Sequence, residues 1–440
     1  MKHSGSPESP ATGPPARTSP PALAPTESAR GPGTVRAGPG VPRTRRLVGP
    51  AFVAAIAYID PGNFAVNLTA GATQGYRLLW VVVLASACAT LLQYLSAKVG
   101  VATGKSLPLL CRERFGPGGR RALWWQGELV VAATEIAEFV GAAIGMRLLF
   151  GTPVWLAALL AAAASLLVVA LRQRGHTRGF ELAAAASLVL VGGGFLFAVL
   201  AVGHQSPTAL AAGLVPHGPT GDALPLILAM IGATVMPHAL YLHSAVVQTG
   251  TDAATAQRHP GRVRRALRTD CLLGLGVATL VNASMIVFGA GLASLTDGAW
   301  TGDLTGAHGE LLTRAGGAAA LAFAVALLAS GLSSCGVGAL AGDVMARDLL
   351  VRRIPPTARR LLTLTPAAVL MTAQVPMTHL LVASQVFVSL GVPVAVALLI
   401  LFSRDRTVMG TLVNARGTTW AAALIGATVA ALACAATLGA

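Results

Sequence analysis

Two apolar stretches, each long enough to cross a bilayer, are interrupted in mid-run by a proline beside a polar or soft side chain. The first, Ala51 to Asn67, reads AFVAAIAYIDPGNFAVN and sets Asp60, Pro61, Gly62 and Asn63 inside an apolar helix. A carboxylate at bilayer depth is tolerated mainly where it lines a cavity or pathway. Pro61 has no N–H and clashes with the carbonyl four residues earlier, that of Ala57, which is left free to bind something. Gly62 lets the chain take dihedrals that a helix forbids. The second, Ile231 to Gln248, reads IGATVMPHALYLHSAVVQ, and there Pro237 frees the carbonyl of Ala233 in the same way. Each break therefore offers a free carbonyl and, directly before its proline, a side-chain ligand: Asp60 in one and Met236 in the other. Paired interrupted spans in corresponding halves of a chain point to the central site of a transporter.

The remainder of the chain is what such spans require. Of 440 residues, 54% are hydrophobic and 11% charged, against about 25% charged in a soluble domain. Apolar runs of roughly 20 residues recur, each of spanning length. The ~10-residue alternating strands of an outer-membrane barrel are absent. These features predict an all-α integral membrane protein. The net charge of +15 does not imply nucleic acid, because the basic residues cluster in short loops on alternate sides of successive spans. Cys88, Cys111, Cys271, Cys335 and Cys434 stand singly, mostly inside apolar runs and with no CxxC pair. They read as packing residues, neither disulfides nor zinc ligands.

Residues 1–46 are rich in Pro, Ser, Gly, Thr and Ala and end in Arg43, Arg45 and Arg46. With no apolar h-region this is not a cleavable signal peptide but a disordered cytoplasmic tail. The membrane domain is expected over 47–440. Eleven spans are predicted near 47–72 (broken), 76–101, 122–149, 153–171, 180–203, 222–248 (broken), 269–294, 312–345, 361–379, 380–403 and 418–439. Loops assigned inside carry Arg112, Arg114, Arg120 and Arg121; Arg172, Arg174 and Arg178; Arg262, Arg264, Arg265 and Arg268; Arg352, Arg353, Arg359 and Arg360; and Arg404 and Arg406. The outer side carries only Arg77, Arg147 and Arg314. This asymmetry predicts a cytoplasmic amino terminus and an extracytoplasmic carboxyl terminus. The breaks in spans one and six fit two five-helix units of inverted topology, 47–203 and 222–403, with an extra helix at 418–439.

The breaks together offer a charged oxygen (Asp60), an amide oxygen (Asn63), two carbonyls (Ala57 and Ala233) and a thioether (Met236). Oxygen ligands alone suit hard ions such as magnesium and calcium. A thioether selects for transition metals. The set makes a loose site for a divalent metal, as suits a protein that must release what it binds. The competing reading makes Met236 core packing and Asp60 a helix cap. His238 follows Pro237 and reads as a proton-linked residue facing the site. His243, five residues on and about 140° around a helix, reads as a packing or gating residue. In span three, Glu128, Glu135 and Glu138 share an arc of about 80°, the pattern of a protonatable track. Glu128 has arginine pairing as its alternative. Arg359 and Arg360 read as positive-inside anchors, with pairing to these acids as the other reading. Gln385 in span ten reads either as an extra oxygen ligand in a closed site or as an interhelical hydrogen bond. His379, Asp270 and Asp343, near span ends, are assigned no special role.

With these motifs the chain resembles the Nramp family of proton-coupled divalent metal ion transporters, which have the LeuT-like 5+5 inverted-repeat fold. The likeness rests on DPGN (Asp60 to Asn63) and MPH…LHS (Met236 to Ser244). It is supported by LLQYLSAKVGVATGKSL (91–107), ATEIAEFVGAA (133–143), SQVFVSLGVP (384–393) and RDRTVMG (404–410). It covers about residue 46 to 440. The resemblance implies that Asp60, Asn63 and Met236 bind metal with the carbonyls of Ala57 and Ala233. It implies that Gln385 joins in some states and that His238, Glu135 and Glu138 belong to a proton-linked network. It implies manganese(II) and iron(II) as chief substrates, with cadmium, cobalt and zinc handled to varying degrees. Three positions depart from the family pattern: Ala239 where Asn is usual, Glu135 where Asp is usual, and Gly391 where a second glutamine is common. Branches that carry magnesium or aluminium lack the methionine, so Met236 argues against those substrates.

The expected function is symport of a divalent metal with protons into the cytoplasm by alternating access, in a bacterial inner membrane. The expected partners are metal ions, protons and membrane lipid, without nucleic acid, an obligate protein partner or a resident cofactor. The alternative is a transporter of the same architecture for an organic substrate such as an amino acid. An intramembrane metalloprotease would need HExxH or a similar cluster, which neither His238 nor His243 supplies, so no enzyme is expected.

Overall fold

The computed structural model describes Met1 and residues 49–438, apart from 174–176, 204, 219–222, 251, 351–354 and 374. The expected tail at 1–46 and the loop arginines Arg174, Arg352 and Arg353 lie outside the described residues. The elements in chain order are α1 (Pro50–Ala57), α2 (Pro61–Gln74), α3 (Leu79–Thr103), α4 (Leu107–Arg114), α5 (Pro117–Phe150), α6 (Val154–Gln173), α7 (Thr177–Val202) and α8 (Pro207–Gly213). They continue as α9 (Leu224–Thr234), α10 (Pro237–Val246), α11 (Ala253–Arg258), α12 (Pro260–Leu295), α13 (Leu304–Arg314) and α14 (Gly317–Leu349). The last are α15 (Pro356–Thr372), α16 (Met377–Ser389), α17 (Val392–Ser403), α18 (Arg406–Met409) and α19 (Arg416–Leu438). No strand occurs among the described residues.

Proline sets much of this punctuation. Pro50, Pro61, Pro117, Pro207, Pro237, Pro260 and Pro356 each stand as the first residue of a helix, where a missing N–H costs nothing. Gly104 (φ 65°) and Gly151 (φ 63°) close α3 and α5 in the left-handed conformation.

Nine helical segments among the described residues are long and apolar enough to cross a membrane. Two expected spans fall outside that set for identifiable reasons. The first is divided into α1 and α2, and the ninth, α15, has 17 residues and carries Arg359 and Arg360. Both are nonetheless embedded among the long helices: α2 runs along α12, and α15 packs against α5 and α6. With these two, the described residues contain a helical counterpart for each of the eleven expected spans.

The boundary between spans nine and ten differs from expectation. Span nine ends at Thr372 and span ten starts at Met377, so His379 belongs to span ten. Pro376 is the N-cap residue of α16, and a proline there marks a start more readily than an end. Span ten is also broken, at Leu390 and Gly391, between α16 and α17. Pro393 cannot donate to the carbonyl of Ser389, which accounts for the interruption.

The bundle is held by close backbone approach and by one aromatic cluster. A β-carbon on Gly289 would stand 2.6 Å from the Leu68 carbonyl oxygen, and one on Gly71 would strike the backbone of Ile286 to Ala290. The two glycines thus bring α2 and α12 into backbone contact, as small residues do between membrane helices. Phe195 of α7 meets Phe64, Phe288 and Phe323 at centroid separations of 4.8, 6.0 and 6.1 Å. These four rings join α2, α7, α12 and α14 and hold the second half of the first broken span in register with its neighbours.

Candidate functional site

The first break is built by a cap and a proline acting together. Asp60 has extended backbone and is the N-cap of α2; its Oδ1 accepts hydrogen bonds from Asn63 N at 2.9 Å and Asn63 Nδ2 at 2.8 Å. Among the carbonyls released at the end of α1, that of Tyr58 accepts from Asn282 Nδ2 at 2.9 Å and that of Ile59 from Ser330 Oγ at 2.6 Å. The carbonyl of Ala57 has no donor among the described residues. Asp60 is fully buried, and its second oxygen, Oδ2, has no hydrogen-bond partner. One oxygen of this carboxylate therefore caps the helix, as the competing reading expects, and the other is left free.

The second break lies against the first. Asn63 Nδ2 also donates to the carbonyl of Ala233 at 2.8 Å, which ties α2 to the end of α9 across 170 residues of sequence. Ala233 is thus occupied by Asn63 here, whereas Asn63 Oδ1 is buried and unpartnered. Met236 is fully buried and occupies the N-cap position of α10, but its thioether accepts nothing from the helix. Gln385 completes the junction. Its side chain lies directly on Gly62, and its backbone carbonyl lies against Gly232. Gln385 Nε2 donates to Ser384 Oγ at 3.3 Å, while Oε1 is buried without a partner.

The two breaks and span ten therefore bring together buried acceptor oxygens that the protein leaves unpaired. A buried polar atom without a partner costs about 1–3 kcal/mol. Asp60 Oδ2, Asn63 Oδ1 and Gln385 Oε1, with the Ala57 carbonyl and the Met236 sulfur, are the kinds of donor that a cation preferring oxygen and tolerating sulfur takes. No cluster of three or more His, Cys, Asp or Glu side chains able to hold a metal ion occurs among the described residues. With a single carboxylate and otherwise neutral donors, the set suits a passing cargo.

His238, in the first turn of α10, is buried with both ring nitrogens unpartnered. His243 is engaged elsewhere: its Nδ1 lies 2.7 Å from Gln93 Oε1, and Gln93 Nε2 donates to the Tyr58 hydroxyl at 2.6 Å. This chain links α10 through α3 to the residue after Ala57, while His243 Nε2 is buried without a partner.

The three glutamates of span three do gather, and around arginines. Arg359 Nη1 lies 3.3 Å from Glu128 Oε1, and Arg359 Nη2 lies 3.2 Å from Glu135 Oε1. Arg360 Nη1 lies 3.3 Å from Glu135 Oε1 and 3.4 Å from Glu138 Oε2. Arg360 also donates to Ser165 Oγ at 2.9 Å and Cys335 Sγ at 2.6 Å, and Thr363 donates to Glu135 Oε2 at 2.5 Å. Arg359 is 4% exposed and Arg360 0%, which corrects the reading of both as interfacial anchors. Lone cations at those depths would be strongly disfavoured; paired ones are held.

Sequence reasoning overlooked Gln126. Both polar atoms of its side chain are buried and unpartnered. A β-carbon on Gly391 would stand 2.8 Å from Gln126 Nε2 and 3.1 Å from Pro237 Cγ. The span-three amide therefore lies where the breaks of spans six and ten meet, in the space a longer side chain at 391 would need. The signal available was a glutamine among apolar residues two positions before Glu128.

The sequence profile of the family described as "Natural resistance-associated macrophage protein-like" matches residues 51–439. The chain belongs to the Nramp family. It is 41% identical over 393 residues to a protein of Deinococcus radiodurans named divalent metal cation transporter MntH, covering 88% of this chain and 89% of that one. A Bacillus subtilis protein of the same name is 40% identical over 387 residues, covering 88% and 90%. Among solved structures, a manganese transporter from Eremococcus coleocola in complex with an aromatic bis-isothiourea substituted compound superposes with a TM-score of 0.77 at 27% identity, over 91% of this chain and 87% of that chain. Mhp1, a nucleobase-cation-symport-1 family transporter, shares the fold alone: TM-score 0.56 at 17% identity, over 90% and 96% of the two chains. This Nramp chain is thus a multi-pass membrane protein of LeuT-like fold and a divalent metal transporter by family.

Proposed function

We propose that this Nramp protein carries divalent transition-metal ions, chiefly manganese(II) and iron(II), into the cytoplasm together with protons. One observation supports this most: the buried, unpaired oxygens of Asp60, Asn63 and Gln385 belong to side chains that join the two broken spans, Asn63 bonding to Ala233 and Gln385 lying against both Gly62 and Gly232. The metal sheds water onto Asp60, Asn63, Met236 and the Ala57 carbonyl. The Ala233 carbonyl becomes available when Asn63 turns its amide, and Gln385 adds an oxygen when the site is closed. The name of the Eremococcus coleocola structure, a manganese transporter, accords with this choice of ion.

Protons take the side of the bundle lined by Asp60, His238, Glu135, Glu138 and Glu128. Three carboxylates there face two guanidinium groups, so with all five ionised the cluster is one proton short of neutrality. A buried set of that kind favours neutrality over a net charge, and a proton delivered there can be exchanged with the cargo carboxylate. The halves 47–203 and 222–403 act as the two inverted repeats, with 418–439 outside them, and rock about the breaks to expose the site alternately. The amino terminus is placed inside and the carboxyl terminus outside, in the cell membrane. A potential of 100 mV, negative inside, adds about 2.3 kcal/mol per charge moved inward. No enzymatic turnover, resident cofactor or obligate protein partner is proposed.

Purified protein in liposomes tests the reading. Labelled manganese uptake, accompanied by acidification of the lumen and inhibited by iron(II) but not by amino acids, is the expected result. Uptake inhibited by an amino acid and indifferent to competing metals would assign an organic substrate instead.

A further inference from the structure

The end of the bundle rich in arginines holds a cationic cluster that no acid balances. Lys98, in the last two turns of α3, is 3% exposed and donates one of its three N–H groups to Asn414 Oδ1. Its Nζ lies 5.2 Å from the centroid of the Tyr94 ring, and Arg268 of α12 brings its Cζ to 5.5 Å from the same centroid. Arg264 is one turn before Arg268 and shares its face of the helix.

The carboxylates nearest in sequence are already engaged. Asp270 accepts from Gly49 N at 2.8 Å and Ala51 N at 2.9 Å. Asp252 accepts from Thr255 N and Oγ1 at 2.8 and 2.7 Å, and Asp405 from Thr407 N and Oγ1 at the same two distances. No ion pair joins Lys98, Arg264 or Arg268 to a carboxylate among the described residues. The platform is also built to stay put. Asn414 donates to Ser403 O at 3.0 Å and to Ser403 Oγ at 2.8 Å. Gln257 bridges the carbonyls of Ala102 (3.3 Å) and Met409 (3.1 Å).

We propose that Arg264 and Arg268, backed by the buried charge of Lys98, bind the phosphate of an anionic phospholipid headgroup. The apolar surface directly beyond them favours a lipid over a free anion. Leu272, one turn after Arg268 on the same face, is 62% exposed, and Leu273 and Leu280 are exposed further along α12. A headgroup phosphate at the arginines sets its acyl chain along that stripe. Basic residues near an anionic membrane surface each contribute about 1 kcal/mol, or about fivefold in affinity per charge.

The test is thermal unfolding of the full-length protein in detergent, titrated with phosphatidylglycerol, phosphatidylcholine or inorganic phosphate. Phosphatidylglycerol is expected to raise the melting temperature saturably, with no effect of the other two. The apparent affinity should fall about thirtyfold in Arg264→Gln/Arg268→Gln, return in Arg264→Lys/Arg268→Lys, and be unchanged in Arg262→Gln/Arg265→Gln, which removes two charges outside the cluster. Lys98→Gln, which should weaken binding about fivefold, serves if the double variant fails to fold. Equal stabilisation by phosphatidylcholine, or an equal loss in the Arg262/Arg265 variant, overturns the assignment. So does a phosphate effect as large as that of the lipid, or unaltered affinity in a folded Lys98→Gln protein. None of these readouts depends on transport, so they are independent of the cargo and its coupling.

Discussion

At the scale of single residues, the two oxygens of Asp60 stand in different situations, and the roles proposed for them can be separated. Oδ1 caps α2 through Asn63 N, a contact of about 1 kcal/mol, while Oδ2 is free. Asp60→Asn keeps a capping oxygen and removes the charge. It should fold to wild-type levels, judged by detergent-solubilised yield and melting temperature, yet take up no measurable manganese. Retained uptake in that variant would move the cargo site elsewhere. Met236 has no hydrogen-bonding duty in the cap, so Met236→Ala removes only the soft donor. Manganese uptake should persist at a reduced level while calcium or magnesium becomes a substrate, read as uptake of labelled calcium that wild-type protein excludes. Asp60, Asn63 and Met236 were legible in the sequence because proline arithmetic is local: four residues separate the ring from the carbonyl it frees. Gln126 was not, and the pairing of Arg359 and Arg360 was legible only as one of two readings, because these positions depend on neighbours brought in from other spans. Arg359 and Arg360 follow the positive-inside pattern in sequence, and only the packing of α15 on α5 turns them inward onto the glutamates.

At the scale of elements, the site depends on helices that approach more closely than ordinary side chains allow. Gly289 and Gly71 seat α2 on α12, and Asp270 of α12 caps the start of α1 through Gly49 and Ala51. Both halves of the first broken span therefore hang on one long helix. Gly289→Val inserts three carbons where one already meets the Leu68 carbonyl at 2.6 Å, and overpacking of this kind costs about 1–3 kcal/mol. That variant should melt lower and bind manganese more weakly, as measured by calorimetric titration, although it touches no ligand. The break in span ten illustrates the limit of reading elements in sequence. Gly391 and Pro393 were visible, but an interruption near the end of an apolar run resembles a helix boundary until α16 and α17 are seen as one crossing. The exposed caps behave conventionally. Hydrogen bonds from Thr255 hold the Asp252 carboxyl below its ordinary range, and those from Thr407 do the same for Asp405. Their folded-state pKa is depressed, so their small contribution is present above the unfolded value of about 3.9 and fades as pH falls through the folded one.

At the scale of the whole molecule, the proposed cargo site and the charged cluster adjoin but are carried by different helices, with Gly141 of α5 lying against Pro61 of α2, so coupling should be separable from transport. The proposed metal donors lie on α1, α2, α9 and α16 and at the N-caps of α2 and α10. The glutamate–arginine cluster comes from α5 and α15, with Ser165 of α6 and Cys335 of α14 against Arg360. Glu138 is bound least tightly of the three acids, through one arginine nitrogen at 3.4 Å, and it lies against Gly338 of α14. Glu138→Gln leaves the shape and removes one proton-binding oxygen pair, bringing three acids against two arginines to two against two. A balanced cluster has no call for a proton. Manganese uptake by Glu138→Gln liposomes should therefore continue under an inside-negative potential while luminal acidification is lost and the dependence of uptake on external pH flattens. A variant that loses metal uptake and proton movement together, with its fold intact by melting temperature, would place Glu138 in the cargo path itself and would require the proton to travel with the metal through the breaks.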